Sequence, residues 1–135
     1  MKYYKSMLDG FAQISFLWCF SLVLSKHVPG WQIWCKWFEL WLGSDKNLHI
    51  LVGLLLPLSL GRLLSLRSKP MLLQFTFFLA MLGCFLIDEY SQLWFTHREF
   101  STEDLFASAL GWGVACLLWF GRSLMSFAGH SLRWN

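Results

Sequence analysis

Apolar residues in this chain run in long blocks, and polar residues collect between them. The blocks cover about residues 7–25, 48–66, 71–95 and 105–121. Each is long enough to cross roughly 30 Å of hydrocarbon with modest tilt. Apolar positions run continuously and do not alternate with polar ones, which argues against strands. Backbone groups cannot stay unpaired in lipid, so the blocks are expected to be helices. The pattern predicts an all-α polytopic membrane protein with four transmembrane helices and a single domain over 1–135. No repeat, low-complexity tract or linker divides it. Lys2 and Lys5 before the first block also suit a secretory signal, but the block is long and no A-x-A site precedes Lys26.

The stretch at about 31–42 has a different rhythm. Trp31, Trp34, Trp37, Phe38 and Trp41 recur every three or four residues. On a helix they span an arc of roughly 120°, with Gln32, Lys36 and Glu39 on the opposite side. This predicts a short helix lying flat at the outer interface, with indoles among the headgroups. An anchor is the simpler role; a ledge over a site is the functional one. Pro29-Gly30 is expected to make the turn into it.

Composition sharpens this picture. Hydrophobic residues make up 56% of the 135 and charged ones 14%, against about 25% charged in soluble domains. Both figures argue against a water-soluble globule and against a disordered chain. None of the four cysteines forms a CxxC pair, so neither a disulfide framework nor a zinc site is expected. Basic residues set the orientation. With both termini inside, Lys2, Lys5, Arg62, Arg67, Lys69, Arg122 and Arg133 are cytoplasmic. Lys26, Lys36, Lys46 and Arg98 are then outside, together with seven of the eight acids.

Those acids meet other polar groups at the outer ends of the spans. Asp45, Lys46 and His49 open the second block, with Asp45 and His49 on one face. Asp88, Glu89 and Gln92 close the third. Arg98, Ser101, Glu103 and Asp104 lead into the fourth, where Asp104, Ala107, Ser108, Gly111 and Ala115 share a face of small residues suited to close helix packing. Ionisable groups at membrane depth suggest function. The plainer readings are helix capping for Asp45 and Asp104, an interior histidine for His49, and solvated charges for Glu99 and Glu103. Glu89 resists such a reading, because a carboxylate at a helix C-terminus opposes the dipole.

The ordered set Asp45-Lys46-x-x-His49, Glu89-x-x-Gln92, Arg98-x-x-Ser101-x-x-Asp104 and Gly111 resembles the VanZ-like family. The resemblance covers about residues 45–115. Ser108, where asparagine is expected, and His97, where glycine is common, depart from the family's pattern. The resemblance implies a fold and a site in a bacterial plasma membrane. The family is named after a teicoplanin-resistance protein, so it also implies a bearing on glycopeptide resistance, but not a reaction.

The site is therefore expected to comprise Asp45, Lys46, His49, Glu89, Gln92, Arg98, Ser101, Asp104 and Ser108. Its first expected role is recognition of a polar lipid or lipid-linked envelope precursor, with Arg98 and Lys46 holding a phosphate. A structural helix lock in an accessory subunit is the second, and an enzyme using His49, Glu89 and Asp104 the third. No cofactor, metal or nucleic-acid partner is expected. Membrane lipids and another membrane protein are the expected partners, and a homo-oligomer is compatible.

Overall fold

In the computed structural model the described residues are 2–28, 30–94 and 100–131, with side chains described for 3–25, 28, 30–93 and 100–121. Among them every element is helical. Five α-helices follow in order: α1 (Lys2–His27), α2 (Gln32–Leu42), α3 (Asp45–Leu63), α4 (Met71–Ser91) and α5 (Thr102–Ser131). Single 3-10 turns occupy Leu66–Ser68 and Gln92–Trp94.

Among the described residues three segments are long and apolar enough to cross a membrane: Tyr3–Ser25, Met71–Ser91 and Thr102–Gly121. They bear out the first, third and fourth expected blocks, with somewhat different ends. The second block does form a helix, but α3 is not among the three segments, because Asp45, Lys46, Asn47, His49 and Arg62 occupy its ends. The outer surface matches a lipid solvent. Ile14 and Leu17 on α1, Leu72 and Leu79 on α4, and Phe106 and Leu117 on α5 are all more than 60% exposed, an apolar surface far beyond what soluble monomers show.

Helix α3 is the central element. It packs on α5, α1, α2 and α4, whereas among the described residues α1 and α4 do not pack on each other. In lipid no hydrophobic drive pushes helices together, so close backbone approach and hydrogen bonds must hold them. The α3–α5 seam supplies both. A Cβ built on Gly53 would lie 2.3 Å from the carbonyl oxygen of Ser108, and one on Gly111 would lie 2.1 Å from that of Ile50. Ala107 and Ala115 are buried on the same face of α5. The small-residue stripe of the fourth block is thus the packing face expected from its spacing.

Aromatic contacts close the far end of the bundle. Phe78 packs on Trp119 and Phe120 with ring centroids 5.5 and 5.3 Å away. The indoles of Trp112 and Trp119 donate to the Phe78 carbonyl and the Gln74 side chain at 2.7 and 2.8 Å.

Helix α2 forms where the tryptophan rhythm predicts it. Trp31, Trp34, Trp37 and Trp41 are exposed, while Phe38 turns edge-on to Trp18 of α1 with centroids 5.3 Å apart. The face turned to the bundle carries Cys35 as well, whose sulfur lies 2.9 Å from Ser25 Oγ.

Candidate functional site

Three helices meet around one imidazole. His49 lies in the second turn of α3, and the α3–α5 seam sets it against Asp104 and Ser108, which share a face of α5 at spacing four. Nδ1 of His49 lies 3.1 Å from Ser108 Oγ, and Nε2 lies 3.9 Å from Asp104 Oδ2. All three residues are buried. Asp45, on the same face as His49, stays exposed in the first turn of α3, and Asp104 of α5 lies beside the imidazole, on the interior side that its small-residue face implies.

Glu89, 2% exposed, joins α4 to the start of α5. Gln92 Nε2 donates to Oε2 at 2.7 Å, and the backbone N–H of Ser101 donates to Oε1 at 3.1 Å. This solves a capping problem. Ser101 accepts from the Asp104 N–H at 3.3 Å, as the first residue of a capping box does. In that motif the carboxylate three residues on would reach back to the cap's own N–H. Here Glu89 takes that N–H from a neighbouring helix, and Asp104 turns to His49 instead. The caps are the serines: Ser44 accepts from the Lys46 N–H at 3.2 Å and caps α3. The capping role considered for Asp45 and Asp104 is corrected accordingly.

Lys46 and Glu103 form an exposed pair at the rim. Glu103, by hydrogen bond first and charge attraction second, holds the Lys46 ammonium above the usual lysine range. Glu103 thus lies in the first turn of α5 as an ion-pair partner, where a loop charge was expected. Arg98, expected at the site, and His97 lie outside the described residues.

Beside this network is a cleft of about 80 Å³. It lies between α1 and α4, floored by α3. Its apolar walls include Leu22, Val52, Leu56 and Phe85, and its polar end is His49, Asp88, Glu89 and Ser108. Cys84 also lines it and is exposed, whereas Cys35 is buried. A position between the first two apolar blocks suggests an accessible thiol for Cys35, but α2 turns it against α1. Maleimide should modify Cys84 in a C35S background and leave Cys35 intact in a C84S background. Equal labelling of the two would contradict the packing of α2 on α1.

Ser108, His49 and Asp104 stand in the order nucleophile, base and orienting acid. Yet Ser108 sits mid-helix, where the backbone N–H groups are spent on carbonyls four residues back and cannot form an oxyanion hole. Among the described residues no three His, Cys, Asp or Glu side chains are grouped to hold a metal. The arrangement suits binding better than acyl transfer.

No protein-family model, curated protein or solved structure matches this chain.

Proposed function

We propose that the protein is a VanZ-like integral membrane protein of the bacterial cell envelope that holds the polar head of a lipid, or of a lipid-linked envelope precursor, in the cleft between α1 and α4. In this reading α3 is a fourth, internal span, α2 lies at the outer interface, and both termini are cytoplasmic. A bearing on teicoplanin susceptibility belongs to the same reading.

The cleft carries it. It opens between two helices that do not pack on each other, so an amphipathic molecule can enter sideways from lipid with its chain against Val52 and Phe85. The cleft is narrow, about 80 Å³, which suits a small polar group. Carboxylates, an imidazole and a hydroxyl favour a group that donates hydrogen bonds, such as a headgroup hydroxyl or amine. Lys46, expected to hold a phosphate, is paired with Glu103 at the rim and does not line the cleft.

A second reading, a helix lock in an accessory subunit, is favoured by Glu89, whose Oε1 accepts from the Ser101 N–H at the start of α5 while Gln92, at the end of α4, holds Oε2.

Native mass spectrometry of the purified protein tests the first reading. Wild type should retain a lipid of defined mass. Val52→Trp, which fills the cleft, and His49→Leu should lose at least tenfold of it, about 1.4 kcal/mol in affinity. Added lipid should also slow Cys84 alkylation. Retention unchanged in both variants would sink the reading.

A further inference from the structure

A second polar groove lies at the opposite end of α3. Arg62, in the last turn of that helix, is 13 residues from His49, or about 20 Å along the axis. The groove encloses about 760 Å³. Its cations are Lys5, Arg62 and Arg67, and Asp9 is the carboxylate among its described lining residues. Nη2 of Arg62 pairs with Asp9 Oδ1 at 2.9 Å and donates to the Lys5 carbonyl at 3.5 Å, strapping α1 to α3. Its buried Nε has no hydrogen-bond partner among the described residues. After α3 the chain turns through Ser65, at φ 51°, and lays the Arg67 guanidinium over the Trp119 ring, 4.4 Å from its centroid. A guanidinium stacked this way directs its N–H donors sideways, the geometry that grips phosphate oxygens.

We propose that this groove binds the phosphodiester head of an anionic membrane phospholipid. The described lining carries three cations and one carboxylate, a composition that suits an anionic headgroup. The wall beside them is apolar, with Leu58, Leu66 and Leu118, so glycerol and the first acyl carbons have a surface to lie on. The groove is also at the right depth. Tyr3 begins one candidate span, Met71 begins another and Gly121 ends the third, all at the end of the bundle that carries Lys5 and Arg62. A soluble anion would use the cations but not the apolar wall. This site is independent of the cleft at His49, and the two can fail separately.

The test uses the full chain in detergent, incubated with phosphatidylglycerol or phosphatidylcholine and read by native mass spectrometry. Wild type should retain phosphatidylglycerol preferentially. Each cation near an anionic headgroup contributes about fivefold, so Lys5→Gln with Arg67→Gln should lower retention roughly thirtyfold. Lys5→Gln alone should lower it about fivefold, which keeps the test intact if the double variant fails to fold. Arg67→Lys keeps the charge but loses the stacked fork, so it should recover only part of the binding that Arg67→Gln loses. Arg62 is left in place because it also straps two helices. Lys36→Gln, at the other end, should leave retention unchanged. The proposal is overturned by equal retention of the two lipids, by no loss in either test variant, or by equal loss in the Lys36→Gln control. Displacement by millimolar inorganic phosphate would also overturn it, by assigning the groove to a soluble anion.

Discussion

Gly111→Ala is expected to unseat α5 from α3. The added methyl would stand 2.1 Å from the Ile50 carbonyl oxygen and 2.9 Å from the Leu54 nitrogen. Both are backbone atoms of a helix that also packs on α1, α2 and α4, so neither can turn aside as a side chain would. Overpacking usually costs 1–3 kcal/mol, and rigid neighbours on two sides place this case at about 3 kcal/mol or more. Gly113→Ala is the matched control. Nothing lies within 4 Å of its added carbon, and alanine is the better helix former by about 1 kcal/mol. Unfolding in micelles, followed by circular dichroism, should separate the two variants widely. Similar midpoints would mean that α3 and α5 do not cross where Gly111 meets Ile50. Val at position 53 in place of Gly53 should behave like Gly111→Ala, for Ser108 backbone atoms lie 2.3 to 3.2 Å from the site of its first carbon.

Glu89→Ala should be the other severe change, for electrostatic reasons. It strands the Ser101 N–H and the Gln92 amide, and each buried donor left without an acceptor costs about 1–3 kcal/mol. A loss of about 3 kcal/mol is expected. Glu89→Gln has the same shape and keeps an oxygen for the Ser101 N–H, and Gln92 can turn its amide to accept from the new one. Its loss should stay below about 1.5 kcal/mol. The pair therefore separates the two readings of the site. Under lipid recognition, Glu89→Gln keeps the fold and loses the retained lipid. If Glu89→Gln unfolds as readily as Glu89→Ala, the negative charge itself locks the bundle, and the accessory-subunit reading gains. Asp104→Asn supplies the same comparison on α5, beside His49. An enzyme would instead keep its lipid in both conservative variants and lose turnover.

The helices were legible because their signals are local. The tryptophan rhythm at 31–42 marks out α2, and the spacing of Ala107, Ser108, Gly111 and Ala115 marks the packed face of α5. Each needs only the 3.6-residue turn and the company of neighbours in sequence. The ends of the second block were harder to read. Hydropathy alone extends it to about residue 66, yet α3 stops at Leu63 and Ser65 turns the chain into a separate 3-10 turn. Caps were misjudged for a related reason. Aspartates and serines are equally good at helix starts, and the choice of Ser101 over Asp104 rests on Glu89 arriving from α4.

Cys35 shows where local reasoning stops. On a wheel it lies near the edge of the aromatic arc, and nothing in residues 31–42 says that α1 will cover it. Ser25 and Leu22 do so across ten and thirteen residues of chain. The same holds for the cleft, because a gap between α1 and α4 is a property of how α3 separates them. The chain alone determined what lipid exposure and helical periodicity dictate: apolar helices, a small-residue seam and polar groups gathered at the span ends. Tertiary structure decided which of those groups meet. The partners of His49 stand 55 and 59 residues away, and only the backbone contact at Gly53 and Gly111 brings them within reach.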